Sequence, residues 1–241
     1  MNPTSGTNPR LAVVIGTFAA VPYVHLQLEA RRRLYSDVPL LVHDDASPAA
    51  GTLAALCRAY GADFSRNPAR LPPCKGDLSV FLRGLEWGRA VGADVVVKLS
   101  RRFIPVTDWR GSLAALARDS QYATLCAWTT SFRFGFRSEC VGLAVERWGR
   151  FAGELAARME EPGEPFVERF LHNLARRAAA ENGEASRAYD ARGGERPPAC
   201  QAFSPESLSV VSAQNRDPRS RLDIQPEHQA HRPLHLGSHL Q

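Results

Sequence analysis

Apolar and polar positions fall into two alternating kinds of run along this chain. LAVVIGTF (Leu11 to Phe18) is β-branched and apolar throughout, which fits a strand buried on both faces. After it, Pro22 can open a helix at its first turn. Val24, Leu28 and Tyr35 lie near one face of that helix, with Arg31, Arg32 and Arg33 largely on the other. A short strand follows from Pro39 to His43 and leads to Asp44 and Asp45. Ser47 followed by Pro48 reads as N-cap and first residue of a helix running to about Tyr60 and stopping at Gly61. A third short strand is expected at Ala62 to Ser65. From Asp77, a helix carries Leu78, Phe81, Leu82, Leu85 and Val91 at spacings of three and four. ADVVVKLS (Ala93 to Ser100) is the next buried strand.

The second half continues with a helix at Thr107 to Arg118 and strands at Tyr122 to Trp128 and Cys140 to Val145. An amphipathic helix carries Trp148, Phe151, Leu155 and Met159, and another is expected from Glu164 to Glu181. Strands alternating with helices predict an α/β fold, a mostly parallel Rossmann-like sheet covered by helices on both faces. Right-handed crossovers then bring the C-terminal strand ends to one rim, where ligands of such sheets bind. Met1 to Arg10 read as a flexible arm, 11–182 as the folded domain, and 183–241 as a tail or loosely packed cover.

Composition narrows the function classes. There is no apolar stretch of membrane-spanning length and no charged start followed by an apolar run, so a cytoplasmic protein is expected. The five cysteines are odd in number and form no C-x-x-C pair, which predicts reduced, mostly buried thiols. The net charge of +5 comes almost wholly from arginine, with Lys75 and Lys98 the only lysines. Those arginines are interleaved with Asp and Glu along helices, and no basic stripe with spaced aromatics appears, so no nucleic-acid partner is expected.

The chemistry gathers just after the strands. Gly16, Thr17 and Phe18 follow the first, and Asp44, Asp45 and Ser47 the second. Ser100, Arg101 and Arg102 follow the strand that contains Lys98. Carboxylates at one station and cations at another suit a nucleotide, whose base and ribose donate hydrogen bonds and whose phosphates need positive charge. The runs VVIGTF, VHDDASP and KGDLSVFLRGLEWGRAVGADVVVKL resemble the nucleotide-binding half of family-2-type glycosyltransferases of the GT-A fold. The likeness covers residues 11–104, with 105–182 as the acceptor half, and includes the paired glycines Gly76 and Gly84. It implies that Asp44 or Asp45 contacts the base and that Thr17 lines the same pocket. A helix-capping role for Asp45 and Ser47 is the structural alternative.

The departures from the family shape the functional expectation. Where the family carries D-x-D for a divalent cation, this chain has Ser100, Arg101 and Arg102, so no metal and no cofactor are expected. Either Arg101, Arg102 and Lys98 replace the metal in a metal-independent transfer from a nucleotide-sugar to an acceptor, or the chain is a non-catalytic nucleotide-sugar or protein-binding module. The likeness also implies an acidic general base at the start of a late helix. Glu168, one turn before His172, is the nearest match, although Arg169 stands where a second acid belongs; Glu164 is the substitute. A nucleotidyltransferase wants a glycine-rich loop after the first strand, and Gly16 is alone there. His228, His231, His235 and His239 hint at a metal, but Pro233 interrupts any helix that would align them. FRFGFRSE reads as a lid or acceptor loop, or as a packed hairpin.

Overall fold

The computed structural model describes residues 9–101, 104–105, 110, 122–124 and 140–161, and single helical positions between 167 and 177. A six-stranded sheet runs in the order β3-β2-β1-β4-β6-β5. Its strands are β1 (Leu11–Thr17), β2 (Leu40–Asp44), β3 (Asp63–Arg66), β4 (Val95–Ser100), β5 (Tyr122–Thr124) and β6 (Cys140–Ala144). β1 pairs in parallel with β2 and β4, and β2 with β3, whereas β6 is antiparallel to both β4 and β5. The fold is therefore the mixed, mostly parallel α/β sheet that the alternating pattern predicts.

Period-two alternation assigns each strand residue to a face. Val13, Ile15, Leu40, Val42, Val97 and Leu99 share one core with Val24 and Leu28 of α1 (Val21–Leu34) and with Leu53 and Cys57 of α2 (Ala50–Ala59). Burial pushes the Cys57 thiol up to about 12, so it stays a protonated, apolar filler. On the other face Ala12, Val14, Leu41 and Val96 meet Val80 of α3 (Pro73–Ala90). A second cluster there joins Leu78, Phe81 and Leu85 of α3 to Trp148, Leu155, Val167 and Leu171. Each such fully buried side chain contributes about 1.5–3 kcal/mol. α3 lies close on the sheet because it presents hydrogens to the strands. A Cβ on Gly84 would stand 2.6 Å from Val14 Cγ1, and one on Gly88 2.1 Å from Val96 Cγ2.

Several boundaries differ from the pattern. α2 begins at Ala50 after the N-cap residue Ala49, which makes no side-chain cap bond, so Ser47 and Pro48 belong to the preceding turn. α3 begins at Pro73, a turn before Asp77, because Pro72 and Pro73 supply preset backbone angles for a helix start. The helix expected around Trp148 is two: α4 (Val145–Gly149) and α5 (Ala152–Glu160). The break lets Trp148 and Phe151 enter one cluster edge to face, with ring centroids 5.6 Å apart. At the N-terminal side, Arg10 is anchored: its backbone N–H donates to Asp94 Oδ2 at 2.8 Å and its guanidinium pairs with Oδ1 at 3.0 Å. The expected helix at 107–118, apart from helical Arg110, the strand beyond Thr124, and the tail 183–241 lie outside the described residues.

Candidate functional site

The strand order places the switch of winding direction between β1 and β4, since β2 and β3 lie on one side of β1 and β4 on the other. Register sets the stations along the rim: Arg66 beside Asp44, Asp44 beside Thr17, and Gly16 beside Ser100. Both connections leaving β1 and β2 contain a non-glycine residue in the left-handed region, Ala19 at φ 51° and Ala46 at φ 55°. An alanine there costs about 1–2 kcal/mol, and such strain is concentrated at functional loops.

At the β1–β2 end, three polar atoms are buried without a hydrogen-bond partner: Thr17 Oγ1, Asp44 Oδ1 and Ser47 Oγ. The other Asp44 oxygen, Oδ2, accepts the Ser47 backbone N–H at 2.8 Å. Burial pushes the Asp44 carboxyl above the usual carboxylate range, while the Ser47 hydroxyl beside it, the Ser47 N–H and the charge of Arg66 pull it partly back. Leaving such groups unsatisfied is costly, which sets this end of the rim apart as the candidate site.

Asp45 is held differently. Its backbone N–H donates to Thr17 O at 2.9 Å, and its Oδ1 accepts from Asn67 Nδ2 at 2.8 Å and from the Leu71 N–H at 3.1 Å. Its Oδ2 faces the first turns of α3, where a Cβ on Gly76 would lie 2.9 Å away. The capping alternative therefore changes hands. The local turn bond belongs to Asp44, Asp45 bonds to the β3–α3 connection, and the Ser47 hydroxyl caps nothing.

The β4 end is tied to the rest of the molecule. Lys98 stands below the rim, 2% exposed, because the β4 alternation turns it toward α3. There it forms an ion pair with Asp77 and lies 5.0 Å from the centroid of the Phe81 ring. Its amine is thus engaged with Asp77 just inside the strand end at which Lys98 is expected to line the nucleotide site. The Ser100 carbonyl accepts from Gln27 Nε2 at 2.8 Å, and Arg101 Nη1 donates to Phe18 O at 3.0 Å, closing the switch-point crevice on one side. Arg70 stacks over the same Phe18 at 4.0 Å from the ring centroid.

Arg102, Glu164, Glu168, His172, the FRFGFRSE segment and the four C-terminal histidines lie outside the described residues. Among the described residues, no three His, Cys, Asp or Glu side chains gather as a metal site would need. The donor set at the β4 end, Ser100 with Arg101, does not suit a hard divalent cation. Asn67, His43, Asp77, Gln27 and Arg70 enter the site only through the tertiary structure. The available signal was a histidine inside the apolar run LLVHD, facing a segment whose prolines and asparagine preclude regular structure.

No family model matches the chain, and no curated protein matches it. Solved structures do. TarS 1-349 of S. aureus, in complex with UDP, superposes with a TM-score of 0.50 at 11% identity, over 69% of this chain and 54% of that one. The mannosyltransferase PcManGT of Pyrobaculum calidifontis, in complex with GDP-Man and Mn2+, gives 0.47 at 15% identity, over 88% and 72%. GlyE of Streptococcus pneumoniae gives 0.47 at 15%, over 70% of this chain but 43% of its own. The chain thus spans about half of the TarS 1-349 chain and less of GlyE. Nucleotidyltransferases share the sheet as well. At these identities the likeness defines a fold, GT-A-like α/β, and leaves function to the site.

Proposed function

We propose that this chain is a metal-independent glycosyltransferase, taking a sugar from a nucleotide-sugar to an acceptor hydroxyl. The observation that carries the reading is the trio of buried, unpartnered polar atoms, Thr17 Oγ1, Asp44 Oδ1 and Ser47 Oγ, at the rim where a GT-A-like sheet receives its ligand. Together with Asp45 they offer acceptors for the N–H and O–H groups of a nucleoside. Arg101, a strand's width away, together with Arg102, supplies charge for the diphosphate. The UDP bound by TarS indicates the ligand class to try first.

In the transfer, the acceptor oxygen forms its bond to the anomeric carbon as the bond from that carbon to the diphosphate breaks. The bonding electron pair leaves with the nucleoside diphosphate, and the acceptor's proton passes to a carboxylate, for which Glu168 is our candidate. Charge grows on the leaving diphosphate. At an effective dielectric of about 20, a unit charge at 4 Å is worth about 4 kcal/mol, so two guanidiniums can do the work of a cation.

Titration calorimetry with nucleoside diphosphates tests the reading. Affinity is expected to survive EDTA and to be lost in the double change Arg101→Ala, Arg102→Ala, while weak binding of the free nucleoside persists. Affinity that requires magnesium or manganese, or that survives the double change, excludes it. Binding without turnover against any acceptor leaves the non-catalytic module.

A further inference from the structure

His43 is an imidazole inside a parallel strand, 2% exposed, and both of its ring nitrogens have hydrogen-bonding neighbours. Its Nδ1 lies 2.8 Å from Ser65 Oγ on β3. Its Nε2 lies 3.1 Å from Asn67 Oδ1 and 3.3 Å from Ser79 Oγ on α3. Ser79 in turn donates its proton to Gly76 O at 2.7 Å, and Asn67 Nδ2 donates to Asp45 Oδ1 at 2.8 Å and to Ser79 Oγ at 3.1 Å.

Donor counting leaves one consistent arrangement. The Ser79 hydroxyl has spent its proton on Gly76, so it accepts from both Asn67 and His43. Asn67 must present its amide nitrogen to the Asp45 carboxylate, so its oxygen is what faces His43. Both constraints independently put the imidazole proton on Nε2 and leave Nδ1 to accept from Ser65. The reverse tautomer would set a bare Nε2 against the Asn67 oxygen, and the amide would then turn its oxygen toward Asp45. Burial holds the imidazole below its usual range, with Arg83 adding in the same direction against hydrogen bonding to Asn67 and the charge of Asp45. A neutral ring is the state the chain of bonds requires.

We propose that His43 and Asn67 are positioning residues for Asp45. The Nε2–H tautomer of His43 orients the Asn67 amide, and that amide together with the Leu71 N–H fixes Asp45 Oδ1. Oδ2, which lies toward Gly76 at the start of α3 and has only a 3.4 Å approach from the Leu71 N–H, is the oxygen left to take a nucleoside N–H or O–H. The side chain needs this support because it lies at a strand end followed by the left-handed Ala46, where nothing local would hold it. This inference rests on the nucleotide reading of the site, and it predicts what a merely space-filling histidine would not: coupling between His43 and a carboxylate two residues away, transmitted through a third side chain.

Two measurements on the full chain decide it. Long-range ¹⁵N–¹H correlation spectra of the free protein are expected to show His43 neutral as the Nε2–H tautomer. Calorimetry with UDP and GDP is expected to show affinity about 10- to 100-fold weaker in Asp45→Asn, the loss of a charge-assisted hydrogen bond. His43→Leu should be weaker by about tenfold alone, and should cost nothing further on the Asp45→Asn background. Asn67→Ala should behave in the same way. An Nδ1–H tautomer overturns the proposal, and so does a His43→Leu penalty that is equal in both backgrounds. Should His43→Leu fail to fold, the tautomer and the Asn67→Ala cycle carry the decision. Should Asp45→Asn bind as the parent does, or the parent bind neither nucleotide, the functional reading of Asp45 fails, and the tautomer alone then decides whether the bond chain exists.

Discussion

The ends of β2 and β4 flank the same strand and face the same rim, yet they are finished in opposite ways. At the β2 end, Thr17 Oγ1 and Asp44 Oδ1 are buried without a hydrogen-bond partner, and the Ser47 hydroxyl stands beside Asp44. At the β4 end, the polar groups are engaged within the molecule: Lys98 with Asp77, the Ser100 carbonyl with Gln27, and Arg101 with the Phe18 carbonyl. A cost borne at one end and a set of internal bonds at the other separate two kinds of polar rim. The first is where we propose that a ligand's donors enter. The second is braced from within, Arg101 by the Phe18 carbonyl and Lys98 by Asp77.

The largest effect that sharpens this contrast is expected at Lys98. Lys98→Met removes one partner of a pair whose amine is buried and leaves the Asp77 charge without it. The expected loss is about 3 kcal/mol of folding stability, at the low end for such a break because Asp77 keeps a path to water. Adding Asp77→Asn should restore most of it, and affinity for nucleoside diphosphates should change less than about twofold, below half a kcal/mol. Denaturant melts with parallel calorimetry measure both. A tenfold loss of affinity at unchanged stability would put Lys98 back on the ligand.

Next comes Asp44, where stability and affinity should move in opposite directions. Its folded pKa is raised by burial, so its contribution to stability is present below about pH 4 and lost as pH rises through the folded value. Asp44→Asn removes a buried charge that is a burden at neutral pH. The variant should melt higher than the parent at pH 7, with the advantage shrinking toward pH 4. Affinity for the nucleotide should fall by about 1.5–3 kcal/mol. A variant that is less stable at pH 7 would mean the carboxylate is there for the turn. His43 contributes with the other sign. Its depressed pKa makes the parent lose stability as pH falls below about 6.5.

The smallest change is Thr17→Val, which keeps the shape and deletes a buried hydroxyl without a partner. Folding stability is expected to stay level or to rise by up to about 1 kcal/mol, while nucleotide affinity drops by about 0.5–1.5 kcal/mol. If the two fall together, the hydroxyl has a structural partner in solution and the β2 end is not open as described.

Hydrophobic periodicity by itself determined the order and type of the elements from β1 to β4, because strands buried on both faces and helices with one apolar stripe leave unmistakable periods. The Gly-Thr, Asp-Asp and Ser-Arg-Arg stations were legible for the same reason: in a parallel sheet the residues after each strand must meet at one rim. Helix starts were less legible. Ser47-Pro48 has the composition of a cap, but the Asp44 turn bond and the left-handed Ala46 carry the chain one turn further before α2 begins. Roles within the rim were decided only by tertiary structure. Which of two adjacent aspartates is buried and which is braced depends on Asn67, Leu71 and Gly76, some 22 to 31 positions away. That Lys98 points under the rim depends on which face α3 covers, a matter of strand order. Hydrogen bonds and ion pairs act over a few ångströms whatever the separation along the chain, so local pattern can nominate polar residues for a site, but only packing assigns each of them a partner.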